Sequence, residues 1–216
     1  DWKSFFFQML KREVENVLKR LREYQKLSPK KVNAIVKGGI DTLKTDLEEE
    51  KDILITSPPY LQSHEYIRQA KMDLFWLGFS EEYVRRLHKL EIPYRKDVVP
   101  IEVHSETYTK IKREIKVAHL RDLFERYFWN VLGALNRLQE NVRLYMCLFV
   151  GHASIRGRSI PIDSIFVEHF TSMGWHHKAT LIDTIVARRM FFYKINPATG
   201  IKDKRTQTES LIILRR

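Results

Sequence analysis

Two adjacent prolines, Pro58 and Pro59, stand directly after the apolar run Asp52-Ile53-Leu54-Ile55-Thr56 and Ser57, and just before Tyr60. Proline lacks a backbone N–H and holds φ at about −65°, so neither residue suits a central strand or a helix interior. The run before them is rich in β-branched side chains and reads as a strand. The prolines stop it. The tetrapeptide Ser57-Pro58-Pro59-Tyr60 is therefore a rigid turn at a strand's carboxyl end. In open α/β sheets, ligands bind in the crevice beyond that end.

Apolar periodicity around this turn predicts the other elements. Phe6, Leu10, Val14, Val17, Leu18 and Leu21 recur at three- and four-residue steps, which predicts an amphipathic helix over 4–25 packed on a sheet. Ser28-Pro29 breaks it. The β-branched run 32–36 reads as a short strand, and 62–77 as a helix. Residues 117–139 read as a long helix, 143–150 as a fully apolar buried strand, and 151–158 as a basic loop. A helix over 161–173 and strands over 175–186 and 210–214 complete the order, with 196–208 a polar connection. Strands alternating with helices predict an α/β fold with a largely parallel sheet. The last two strands, with no helix between them, predict an antiparallel edge.

The chain has 216 residues and 44% hydrophobic content, enough for one full core with a smaller insertion. Its formal net charge of +11 favours a polyanionic partner, nucleic acid or an acidic membrane surface. No apolar run approaches the roughly 18 residues of a membrane span. The start, Asp1-Trp-Lys-Ser-Phe-Phe-Phe, does not read as a signal peptide, because Lys11 and Arg12 come soon after it. The first residue is not Met, which is expected of a processed or truncated chain. Cys147 is the one cysteine, so no disulfide forms within the chain and a cytoplasmic setting is expected.

The turn at Ser57 offers a hydroxyl, a fixed carbonyl and an aromatic face. The exocyclic amine of cytosine or adenine is a poor nucleophile, because its lone pair is delocalised into the ring. Two hydrogen bonds accepted from it, by Ser57 Oγ and the Pro58 carbonyl, would localise and aim that pair. Preorganised acceptors stabilise the charge that develops on nitrogen. Tyr60 supplies a stacking face worth roughly 1–3 kcal/mol per base. The amine would then attack a methyl group held in line.

Asp52-Ile-Leu-Ile-Thr-Ser-Pro-Pro-Tyr60 resembles the catalytic motif of the DNA amino-methyltransferases. The likeness extends to 61–68 and 74–78 after the motif, to Phe149-Val-Gly-His-Ala-Ser-Ile-Arg-Gly157 with Ile160-Pro161, and to 186–190 and 208–215, which are similar to the family's closing hairpin. The resemblance implies a Rossmann-like S-adenosylmethionine-dependent methyltransferase core. That core is partial, missing the first part of the sheet, and carries a basic insertion. It implies Ser57, Pro58, Pro59 and Tyr60 as catalytic residues, Asp41 and Thr56 as cofactor contacts, and S-adenosylmethionine as methyl donor. The substrate implied is a base flipped out of double-stranded DNA, in a restriction–modification setting. The serine-headed motif is typical of N4-cytosine members. N6-adenine methylation, in DNA or RNA, is the alternative. The family's glycine-rich Phe-x-Gly-x-Gly loop is absent from the sequence. The expectation is therefore a truncated chain, a chain completed by a partner that carries the loop, or a non-catalytic DNA-binding remnant or subunit.

This divides the chain into a first part of the core at 1–79, an insertion at 80–116 and the remainder of the core at 117–216. The insertion interleaves basic and aromatic residues, Arg95 and Lys96 among them, and is the candidate target-recognition region. Arg68 and Lys71 after the turn, and Arg156 and Arg158 around Gly157, are the other expected phosphate contacts. His176 and His177, adjacent on a strand, point oppositely and do not share a metal. No paired cysteines offer a zinc site. Cys147 lies in an apolar run with no preceding proline and reads as a core residue.

Overall fold

The computed structural model describes residues 1–27, 33–61, 66–92, 95–184 and 208–216. It divides into two compact units, Asp1–Ile40 and Asp41–Arg216.

The first unit is one helix, α1 (Trp2–Leu27), followed by residues 33–40 without regular structure. Asp1 opens the helix by accepting from the Lys3 N–H at 3.1 Å. The expected apolar stripe forms, but α1 buries none of its residues. Within this unit Phe6 and Leu18 remain 54% and 46% exposed. The expected strand at 32–36 is corrected. Its described residues 33–36 form none, since β-branched side chains favour a strand only where a neighbouring strand and a packed face support it. Ser28 and Pro29, the stretch 186–190 and residues 196–207 of the polar connection lie outside the described residues.

The second unit contains β1 (Lys51–Thr56), α2 (Tyr66–Trp76), α3 (Glu81–Leu90), α4 (Glu106–Glu114) and α5 (Ala118–Gln139). These are followed by β2 (Val142–Gly151), β3 (Ala153–Ile155), β4 (Arg158–Ile160), α6 (Ile162–Ser172), β5 (His176–Thr184) and β6 (Thr208–Arg215). Four strands form one sheet in the order β1-β2-β6-β5. β1 pairs parallel with β2, Thr56 facing Leu148. β6 runs antiparallel to both β2 and β5. The expectation of a largely parallel sheet is thus corrected. β1, β2 and β5 share one direction, but the reversed β6 lies between β2 and β5, so among the described residues only the β1–β2 ladder is parallel. The antiparallel hairpin edge is present.

The core lies on one face of this sheet. Met146, Leu148 and Val150 of β2 and Ile212 and Leu214 of β6 meet Phe124, Phe128 and Leu132 of α5 and Ile165, Phe166 and Phe170 of α6. Tyr108, Ile111 and Ile115, from the basic 80–116 segment, join the same cluster, with Tyr108 stacked on Phe124 at 5.1 Å. Each apolar side chain withdrawn here contributes roughly 1.5–3 kcal/mol. Ser105 caps α4 by accepting from the Tyr108 N–H. At the far end of α5, Arg216 donates to the carbonyls of Gln139, Glu140 and Val142, which satisfies groups that a helix end leaves unpaired.

β2 is not buried on both faces as expected. Its residues alternate, and Phe149 is 38% exposed. The expected basic loop at 151–158 is a hairpin instead, β3 paired antiparallel with β4. Its two-residue turn is Arg156-Gly157, with φ of 50° and 81°, as a primed hairpin turn requires.

Candidate functional site

Four features fix the turn after β1. Pro58 is buried, and Leu61, 2% exposed, anchors the far side in the core. Tyr127 of α5, itself buried, donates its hydroxyl to the Pro59 carbonyl at 2.9 Å. Tyr60 donates its hydroxyl to Glu209 of β6. The Tyr60 ring also lies against Gly151, at the end of β2. A Cβ at Gly151 would come within 2.8 Å of Tyr60 Cδ2 and Cζ, and closer to Cε2. Gly151 and Glu209 face each other in the β2–β6 ladder. The carboxyl end of β2 and the amino end of β6 thus hold the tyrosine together.

Ser57, by contrast, is exposed. Among the described residues no donor meets the Pro58 carbonyl, whereas the Pro59 carbonyl is occupied. Burial, then the hydrogen bond to and the charge of Glu209, push the Tyr60 hydroxyl above its ordinary range, while Ser57 opposes this. The phenol is neutral at physiological pH. Burial does the same to Tyr127. The arrangement presents a hydroxyl, a carbonyl and part of an aromatic ring at one sheet edge, on a backbone that two prolines prevent from drifting.

The other expected site residues divide. Thr56, half-buried, pairs with Leu148 and leads into the turn. Asp41 is not placed for a cofactor. Both its carboxylate oxygens accept from Arg95 at 2.9 Å, and one accepts the Leu43 N–H. Arg95 is likewise not placed for a phosphate: it is 3% exposed and bound to Asp41 and Asp97. Lys96 and Arg156 are exposed, and Arg158 pairs with Glu114.

Arg68 and Lys71, both exposed, line a groove of about 610 Å³ between α2 and α3. Arg85, His88 and Lys89 join them, with Ile67 and Val84 as its apolar floor and Glu81 as its one acid. Glu81 is paired with Arg85 at 2.8 Å. A second groove, of about 730 Å³, runs along α4 and includes none of the turn residues.

Cys147 is half-buried, and burial raises its thiol pKa. Among the described residues no group of three or more His, Cys, Asp or Glu side chains is placed to hold a metal, and no helix is long and apolar enough to cross a membrane.

Sequence reasoning missed Tyr127 and Glu209 as partners of the turn. Gly151 stands within the stretch that carried the resemblance, but its function, leaving room for Tyr60, is visible only in three dimensions. Comparison with protein-family models, with curated proteins and with solved structures gives no match.

Proposed function

We propose that the chain holds a nucleobase by its exocyclic amine, as the base-binding part of a DNA amino-methyltransferase acting on N4 of cytosine. The observation that carries this reading is Ser57, exposed at the carboxyl end of β1 beside a clamped Tyr60, next to a Pro58 carbonyl that meets no donor among the described residues. The amine offers two N–H donors, and the turn offers two acceptors. The net charge of +11 and the α2–α3 groove supply cations for the phosphates around an extruded base. The lone cysteine favours a cytoplasmic setting.

Asp41 is consumed by Arg95, and no glycine-rich loop occurs in the sequence. On this reading a partner chain holds the methyl donor. The contribution of this chain is to seat the base and direct its amino lone pair. The same observation favours a second reading, a DNA-binding subunit without catalysis.

The test is nucleoside mass spectrometry of DNA incubated with S-adenosylmethionine and the chain complemented by a subunit that carries the methyl-donor site, run beside calorimetry of the chain with DNA. N4-methylcytosine that falls strongly in Ser57→Ala and in Tyr60→Ala supports the first reading. N6-methyladenine instead moves it to adenine, and methylated nucleosides found only with an RNA substrate move it to RNA. DNA binding with no methylated nucleoside even in the complemented reaction supports the second. Turnover unchanged in both variants removes the assignment of the turn.

A further inference from the structure

Along α1, Phe7, Leu10, Val14, Val17, Leu21 and Tyr24 follow one another at alternating steps of three and four residues. These are the a and d positions of three successive heptads, with Phe7, Val14 and Leu21 at a. They draw one apolar seam along the helix. All six are exposed within their unit, which holds no other regular element among its described residues. An amphipathic helix takes most of its stability from whatever covers its apolar face. The e and g positions beside the seam carry Lys11 and Leu18 on one side and Phe6, Glu13, Arg20 and Leu27 on the other.

We infer that α1 is a dimerisation helix and that its seam is covered by α1 of a second copy, running antiparallel. The flanking residues select this partner and this direction. With Val14 opposite Val17 of the second copy, Leu10 meets Leu21 and Phe7 meets Tyr24, so the seam is apolar against apolar throughout. On one flank Glu13 then faces Arg20, and Phe6 faces Leu27. On the other Lys11 faces Leu18, which its methylene stem covers while the ammonium stays in water. The twofold axis repeats each contact, so the pair gains two Glu13–Arg20 ion pairs. Arg12 touches one oxygen of Glu13 at 3.4 Å in the single helix, and both side chains stay exposed there. A parallel pair matches worse. Its g-to-e contacts set Glu13 beside Leu18 and Phe6 beside Lys11, and it forms no ion pair across the seam. Opposed helix dipoles favour the antiparallel pair as well. This role does not depend on what the turn after β1 binds.

The test uses the full chain in analytical ultracentrifugation. The wild-type chain is expected to show a concentration-dependent equilibrium between monomer and dimer. Leu10→Asp, which puts a carboxylate into the seam, is expected to be monomeric throughout. Arg20→Glu leaves the seam intact and sets Glu13 against a like charge, and it is expected to weaken the dimer roughly tenfold. Glu13→Arg combined with Arg20→Glu reverses both ion pairs and is expected to restore the dimer. Direction is read from disulfides, with Cys147→Ser in every chain. Leu10→Cys and Leu21→Cys chains, mixed and oxidised, are expected to give a covalent dimer on a denaturing gel, and each alone is expected to give none. A wild-type chain that is monomeric at every concentration overturns the proposal. A dimer that survives both Leu10→Asp and Arg20→Glu places the interface elsewhere in the chain and overturns it too. Covalent dimers from Leu10→Cys alone or Leu21→Cys alone, or a double charge variant no tighter than Arg20→Glu, overturn the antiparallel register.

Discussion

Tyr127, buried in α5, donates its hydroxyl to the carbonyl of Pro59 across 2.9 Å. The bond ties the turn after β1 to the helix that covers the sheet. Pro59 confines Pro58 to extended ψ, but the ψ of Pro59 is not confined in this way, and the bond from Tyr127 supplies that second restraint. Removing the hydroxyl strands a carbonyl beside an apolar ring. Tyr127→Phe is expected to cost about 1–2 kcal/mol in chemical denaturation and to weaken binding of a cytosine-containing oligonucleotide. A variant as stable as the parent would show that Tyr127 does not hold the turn.

The position of Tyr60 depends on what Gly151 lacks. A methyl group there would overlap three ring carbons of Tyr60, and the ring is the group that must move. Gly151→Ala is expected to weaken binding of a cytosine-containing oligonucleotide with little change in global stability. The glycine needs no special backbone angle, because it is not among the residues with positive φ. A crystal structure of the variant with Tyr60 in place would contradict this.

The parts of this site that sequence revealed are those encoded locally. An apolar run ended by two prolines can do little else than stop a strand, and β1 with its turn lies where that pattern puts it. Long amphipathic periodicity found α5 for the same reason. The hairpin at 153–160 was hidden because its turn is Arg156-Gly157, and the residue in the left-handed region is normally Asn, Asp or Gly. The open face of β2 was hidden because an unbroken apolar run reads alike whether one face is covered or two. The bond from Tyr60 to Glu209 spans 149 positions, and no local pattern specifies it. Arg95 was misplaced because a buried arginine and a phosphate-binding one share a composition and differ only in neighbours.

Salt dependence separates those two kinds of arginine. Arg68 and Lys71 face the α2–α3 groove. If nucleic acid lies there, Arg68→Ala and Lys71→Ala each reduce the slope of log affinity against log salt by about 1. Arg95→Ala leaves Asp41 and Asp97 without their shared partner, and its effect falls on thermal stability, with the salt slope unchanged. A reduced slope in Arg95→Ala, or unaltered slopes in the groove variants, would reverse the assignment.

His169 supplies a pH dependence whose sign can be worked out. It is fully buried, Nδ1 accepts the His104 backbone N–H at 3.2 Å, and Nε2 faces Asn136 Oδ1 at 3.1 Å. Nδ1 must be bare to accept, so the ring is neutral, and a second proton would confront an N–H donor. Burial, then the nearby His104, lower its pKa from 6.5 to about 4. Between those values the unfolded chain binds a proton that the folded chain refuses. Stability from this group is therefore complete above pH 6.5 and falls as the pH drops toward 4, by about 3 kcal/mol in all. Below 4 both states are protonated and the loss stops. Denaturation curves across that range should show the decline in the parent and a flatter profile in His169→Gln, which has nothing to titrate there. A parallel decline in both would locate the acid sensitivity elsewhere in the chain.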